Sequence, residues 1–229
     1  MFLKNLFLPY DVYSRHKIVA ELIGTMTLVL DVGASLKELS QFLPPATKFF
    51  STDIIGGDVI STGTALPFKS KSVDTVVSID TLEHVPKSLR QKFLSELCRV
   101  AKKGVILAAP LGTDKHIQAE KQEVARQKKL PVSPDPYLLE HIREGLPTLA
   151  DLKILFKPYP NHELYFSGNF VTAQKLFRLH RSEISLPLAG RLPCLFTLSP
   201  YLRWGRAIHF SIWHLPPKAR LSSHFCEQK

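Results

Sequence analysis

Cysteine is scarce in this 229-residue chain. The three present, Cys98, Cys194 and Cys226, make no CxxC pair and no paired spacing. That excludes a disulfide framework and a thiolate zinc site, and it fits reduced thiols in a cytoplasmic protein. Long apolar runs are lacking as well. No segment approaches the roughly 20 uninterrupted apolar residues that a membrane-spanning helix needs. The opening residues, Met1 to Pro9, are apolar but short, broken by Pro9 and without a small-residue cleavage site, so they do not read as a signal peptide. There is no internal repeat and no low-complexity tract. Hydrophobic residues at 45% are ample for a packed core, and the length predicts a single domain.

Acidic residues are in deficit, 20 against 30 Lys and Arg, which leaves a formal net charge of +10. The excess is uneven. Residues 171–229 hold nine basic side chains against Glu183 and Glu227, so +7 of the charge sits there. Such a segment, with its aromatic residues, suits phosphate groups in an anionic membrane, a nucleic acid or a nucleotide-linked substrate; a merely solvated basic face is the plain alternative.

What the chain does contain is a pattern of buried strands with chemistry at their ends. Leu28-Val29-Leu30-Asp31-Val32-Gly33 reads as a buried parallel strand running into a glycine turn. Lys48 to Thr52 reads as a second strand, ending at Asp53, twenty residues after Gly33. A carboxylate at that position can accept hydrogen bonds from both hydroxyls of a ribose, while the glycine lets backbone approach a ligand. An adenosine-containing cofactor is therefore expected. The Gly-x-Gly-x-x-Gly run of dinucleotide enzymes is absent after the first strand, which argues against a nicotinamide cofactor.

Further elements follow the same alternation. Helices are expected over Tyr13–Ile23, Leu36–Leu43 and Ser88–Lys102, and strands over Asp58–Ser61, Ser72–Ile79 and Val105–Ala109. Beyond Pro110 the pattern changes. Gly112–Leu130 is polar and helical in character, Val132–Pro147 reads as a loop with a short helix, and Leu152–Pro158 as a short strand. Asn169–Arg181 is expected to be a helix and Arg206–Leu215 a final strand. Strand–helix units in this order predict a doubly wound, mostly parallel α/β sheet with right-handed crossovers.

Three more segments narrow the cofactor: Gly63-Thr64-Ala65-Leu66-Pro67-Phe68, Val73-Asp74-Thr75-Val76-Val77-Ser78-Ile79-Asp80-Thr81-Leu82-Glu83-His84-Val85-Pro86, and Leu97 to Pro110. With Leu30-Asp31-Val32-Gly33 and Asp53, in this order and spacing, they resemble the class I S-adenosylmethionine-dependent methyltransferases, in particular the type 11 branch. The resemblance runs motif by motif from Leu28 to Pro110. It reaches more loosely to Tyr13-Ser14-Arg15-His16 and to His116, Glu120 and Leu139-Glu140-His141, as in a bacterial subgroup of that branch.

The resemblance implies a Rossmann-like, seven-stranded sheet with helices on both faces, and S-adenosylmethionine as cofactor. It implies that Asp31, Gly33 and Ala34 lie beside the methionine end, that Asp53 holds the ribose, and that Thr62, Gly63 and Thr64 lie near the adenine. Asp80 would face both cofactor and methyl acceptor, and His84 the mouth of the pocket; these two are the candidate catalytic residues. The acceptor implied is a small molecule, or a sugar- or lipid-linked one, rather than a nucleic acid, for which no Asn-Pro-Pro-Tyr-like motif is present. The expected layout is a single methyltransferase-like domain over 1–229, an acceptor-side insert at about 111–147 and a basic segment at about 171–229, with peripheral contact to anionic membrane as one use of that charge.

Two departures from the family pattern stand out. Only Gly33 remains where the family loop is glycine-rich, and Thr62 stands where an aspartate is common. They motivate the competing reading of a catalytically degenerate binding or scaffold protein. His116, Glu120 and His141 match no familiar metal spacing, so no metal is expected.

Overall fold

The computed structural model describes residues 10–131 and 133–167, together with the strand at 208–213. Its elements in chain order are α1 (Tyr10–Ile23), β1 (Leu28–Val32), β2 (Lys48–Asp53), β3 (Val59–Ile60), β4 (Val73–Ile79), α2 (Arg90–Val100), β5 (Ala101–Ala109), α3 (Asp114–Gln127), α4 (Pro136–Glu144), α5 (Leu149–Phe156), β6 (His162–Ser167) and β7 (Ile208–Trp213). The sheet runs in the order β3-β2-β1-β4-β5-β7-β6. Strands β1 to β5 pair in parallel, while β7 is antiparallel to both β5 and β6. This is an α/β, Rossmann-like architecture.

Period-two alternation along the strands builds a core on each face of the sheet. Leu30, Val32, Val76, Val105 and Leu107 face one side, where they meet Phe93, Leu94 and Leu97 of α2 and Leu152, Leu155 and Phe156 of α5. Val29, Val77, Ile79, Ile106 and Ala108 face the other, beneath Val19 and Ile23 of α1 and Leu39. Burial on both faces is why these strands read as near-continuous apolar runs.

Several expectations shift, each for a local reason. The helix expected over Leu36–Leu43 is only a 3-10 stretch at Glu38–Phe42: Lys37 ahead of it is left-handed (φ 56°), and Pro44-Pro45 stop it. The helix expected to reach Lys102 ends at Val100. Ala101–Lys103 enter β5 instead, with Ala101 opposite Val73 and a register shift before Gly104 pairs with Thr75. Strand β6 was not foreseen. The helix expected at Asn169–Arg181 lies outside the described residues.

The strand expected at Leu152–Pro158 is helix α5. A capping box decides it: Thr148 Oγ1 accepts from the Asp151 N–H at 3.1 Å, and Asp151 Oδ2 accepts from the Thr148 N–H at 2.9 Å. Thr148→Ala is expected to cost about 1 kcal/mol of stability, read as a lowered midpoint in urea at unchanged slope. An unchanged midpoint would show that packing of Leu152 and Phe156 alone sets the helix.

Candidate functional site

The strand order reverses beside β1, whose two neighbours are β2 and β4. At such a switch point the loops leaving the carboxyl ends diverge and open a crevice. Pairing in register brings the tips together, with Asp31 opposite both Ser51 and Val77, and Val32 opposite Thr52. Asp31, Gly33, Asp53 and Asp80 therefore lie at the carboxyl ends of three adjacent strands.

Asp31 is 2% exposed, and its Oδ1 has no hydrogen-bond partner. Burial, reinforced by the charges of Glu38 and Asp80, pushes its pKa up to about 8. A buried carboxyl left this way is held neutral at pH 7 and would ionise if a cation lay beside it. Gly33 has φ +91°, and a Cβ there would meet Thr81 Oγ1 at 2.1 Å. Its N–H and that of Ala34 donate to the Thr52 carbonyl at 2.7 and 3.3 Å. The lone glycine of the loop thus serves a tight fit against the β4 exit. Thr81 in turn donates to the carbonyls of Val32 and Ile79, and Ser78 Oγ donates to the Val32 carbonyl at 2.8 Å. These bonds tie the tip of β4 to the tip of β1.

Asp53 is half-buried. Its Oδ1 accepts from the Ile55 N–H at 3.0 Å, and its other oxygen makes no hydrogen bond among the described residues. Beside it Ile54 and Ile55 are 68% and 76% exposed. Sequence reading missed these two; their signal is two adjacent apolar residues directly after a strand-end acid. Thr62 is exposed and forms an isolated bridge with Ala65, while Thr64 Oγ1 donates to Thr62 Oγ1 at 3.4 Å. A Cβ on Gly63 would strike the Phe93 ring at 2.2 Å, so that glycine lets the loop pack on the core.

Asp80 has a left-handed backbone (φ 49°), and its carboxylate pairs with Arg15 of α1 at 2.6 Å. Arg15 was quoted in the sequence without a role; its partner in space supplies one. Positive φ at a non-glycine residue is uncommon and concentrates at functional positions.

His84 and His141 meet although 57 residues apart. His84 Nδ1 lies 2.9 Å from Glu140 Oε2, His141 Nδ1 lies 2.9 Å from Glu120 Oε1, and the two Nε2 atoms are 3.4 Å apart. His116 Nε2 also reaches Glu120, at 3.3 Å. Burial, then His141, lowers the His84 pKa. Burial opposes ionisation of Glu120, but hydrogen bonds from His116 and His141 outweigh it and lower its pKa. Glu83 is 1% exposed, with its pKa raised by burial and by Asp80. Arg90 holds this region together by donating to the Val85, Glu83, Glu144 and Gly145 carbonyls. A shallow groove lined by Lys87, Arg90, Pro147, Asp151 and Leu155 includes none of the strand-tip acids.

Residues 25–109 match the family model described as a methyltransferase domain. Structural similarity extends further along the chain. Magnesium protoporphyrin IX methyltransferase of Synechocystis PCC 6803, solved with bound S-adenosylhomocysteine, is 14% identical; the match covers 89% of this chain and 85% of that one, with a TM-score of 0.50. The plantazolicin methyltransferase, also solved with S-adenosylhomocysteine, is 10% identical over 89% of this chain and 83% of its own, with a TM-score of 0.56. Phosphoethanolamine N-methyltransferase 2 of Haemonchus contortus is 15% identical over 89% of this chain and 53% of its own, with a TM-score of 0.52. At these identities the likeness concerns the fold. No curated protein matches the sequence.

Proposed function

We propose that this chain binds S-adenosylmethionine across the tips of β1, β2 and β4 and methylates a small, sugar- or lipid-linked acceptor. The observation that carries the proposal is the buried, unpartnered Asp31 Oδ1 beside two further strand-tip carboxylates. A buried acid without a partner fits a ligand that brings positive charge, and the methionine end of this cofactor carries both a sulfonium and an ammonium. Gly33 and Ala34 would pass beside that end. Asp53 would accept from the ribose hydroxyls with the oxygen that its bond to Ile55 leaves over. Ile54 and Ile55 offer apolar surface to the adenine, with Thr62, Gly63 and Thr64 lining the far side.

When bound, the cofactor would supply an electrophilic methyl group, whose carbon the acceptor nucleophile would take in line as the C–S bond breaks and S-adenosylhomocysteine leaves. The protein's part is to orient the two reactants and keep water out. Arg15 holds the Asp80 carboxylate at the boundary between cofactor and acceptor. His84 stands at the acceptor side, its imidazole oriented by Glu140 and His141.

Asp80→Asn tests the division of roles. Labelled-methyl transfer across a panel of hydroxyl- and amine-bearing small acceptors is expected to fall at least tenfold, while S-adenosylmethionine affinity changes by no more than a few-fold. Equal loss of both would move Asp80 wholly into the cofactor site. Loss of neither would remove it from the site.

No helix among the described residues is long and apolar enough to cross a membrane. The nine Lys and Arg side chains beyond residue 170 all lie outside the described residues. Their charge supports contact with an anionic surface. The protein is expected to float with phosphatidylserine vesicles at low salt and to leave them at high salt. Equal flotation with neutral vesicles would refute an electrostatic contact.

A further inference from the structure

We propose that Glu83, His84 and His141 form a binding site for one divalent cation of the zinc type, backed by Glu140 and Glu120. One ligand atom from each of the three lies within 4.8 Å of the others.

The orientation of the two imidazoles carries the inference. A carboxylate only accepts hydrogen bonds, so the Nδ1 facing Glu140 and the Nδ1 facing Glu120 each carry the ring proton. Both Nε2 atoms then present lone pairs, and they point at one another across 3.4 Å. A hydrogen bond between them would need a second proton on one ring, and 3.4 Å is long for N–H···N. The same separation matches two ligands of one tetrahedral cation. Zinc–nitrogen bonds of about 2.0–2.1 Å at a tetrahedral angle put the nitrogens about 3.3–3.4 Å apart. A histidine that ligates through one nitrogen and donates the other to a carboxylate is the usual arrangement in metal sites.

A second, independent feature points to the same place. Glu83 is 1% exposed, yet its Oε2 has no hydrogen-bond partner. A carboxylate buried without a donor is costly unless a cation satisfies it. Two imidazoles and one carboxylate suit zinc and neighbouring transition metals more than magnesium or calcium.

The parts come from separate elements. Glu83 and His84 sit in the 3-10 turn Leu82–His84 that follows β4, and His141 lies on α4. Gly145, with φ 75°, ends α4, and Arg90 donates to its carbonyl at 2.6 Å and to that of Glu83 at 3.4 Å. One guanidinium thus fixes both ligand-bearing segments. The site stands three residues beyond Asp80. On the reading that Asp80 borders the acceptor, a cation there would leave an open position for an acceptor oxygen and lower the pKa of a hydroxyl bound to it.

The test uses the full chain, stripped with EDTA and titrated calorimetrically with Zn²⁺, with Co²⁺ absorption as a spectroscopic readout of ligation. One equivalent is expected to bind at micromolar Kd or tighter, with the visible d–d bands of four- or five-coordinate Co²⁺. His84→Ala and His141→Ala are expected to weaken binding at least a hundredfold. Glu83→Gln, close to isosteric and so the variant least disturbing to the fold, should weaken it at least tenfold, and Glu120→Gln about tenfold. A folded wild-type protein that takes up neither metal overturns the proposal, and so does unchanged binding in Glu83→Gln and His141→Ala. Titration of S-adenosylmethionine into the same stripped protein is a separate readout, so failure of the metal site and failure of the cofactor site are distinguishable.

Discussion

Asp31→Asn is expected to raise the unfolding free energy of the cofactor-free protein by about 2–4 kcal/mol at pH 8 and above, and to lower it by about 1–3 kcal/mol at pH 4, where only the cost of the buried amide remains. The cause is the burial that holds the folded-state pKa of Asp31 near 8 against an ordinary value of 3.8. The unfolded chain has lost its proton well below neutrality, while the folded chain keeps it up to pH 8. Between those values the native state binds the extra proton, so raising the pH removes stability, and the loss is complete once the pH passes 8. Four pKa steps at about 1.36 kcal/mol each set an upper bound of about 5 kcal/mol. Asparagine removes that penalty but buries an amide, whose unpaired hydrogens cost about 1–3 kcal/mol. The difference between wild type and variant isolates Asp31 from every other titrating group. Urea unfolding from pH 4 to 9 should show the two stabilities crossing as pH rises, and parallel curves would mean that Asp31 is already ionised in the fold. The same carboxylate gives the opposite sign in binding. A cationic ligand beside it favours the ionised form, so S-adenosylmethionine should release a proton on binding near pH 7, and Asp31→Asn should weaken its binding.

Asp53→Ala is expected to lower S-adenosylmethionine affinity about thirty- to a hundredfold. Charge-assisted hydrogen bonds from two ribose hydroxyls are together worth about 2–3 kcal/mol in a partly screened crevice. The substitution also frees the Ile55 N–H from its 3.0 Å bond, but that amide sits in an exposed turn and can turn to water. The fold should therefore lose no more than about 1 kcal/mol. Asn at the same position keeps one acceptor oxygen, for Ile55 or for the ribose, and puts a donor NH2 in place of the other, so its affinity should fall between those of wild type and Ala. Calorimetry on the three proteins, with thermal melts beside it, separates the two effects. A large drop in melting temperature with intact affinity would make Asp53 a turn-stabilising acid and nothing more.

Much of this was legible because it is encoded over short distances. Asp31 and Asp53 declare themselves from strand runs of five and six residues and one spacing. Parallel pairing does the rest, since register alone brings both tips to the same edge. The Thr148–Asp151 capping box was equally local, and an apolar run of Leu152 to Phe156 masked it. Where the sequence misled, the deciding groups were distant. Lys102 and Lys103 look like the end of a helix, yet the Val73 edge draws Ala101 into the sheet. The meeting of His84 and His141 was not legible, because 57 residues separate them along the chain. Glu83 and His84 come from the turn after β4, and Arg90 rather than sequence proximity holds the end of α4 against it.

The most direct measurement is calorimetric titration of S-adenosylmethionine and S-adenosylhomocysteine into the purified full chain at pH 7.5. One equivalent of each is expected to bind with micromolar Kd, and each should raise the melting temperature. A folded protein that takes up neither ligand would contradict a cofactor site at the tips of β1, β2 and β4.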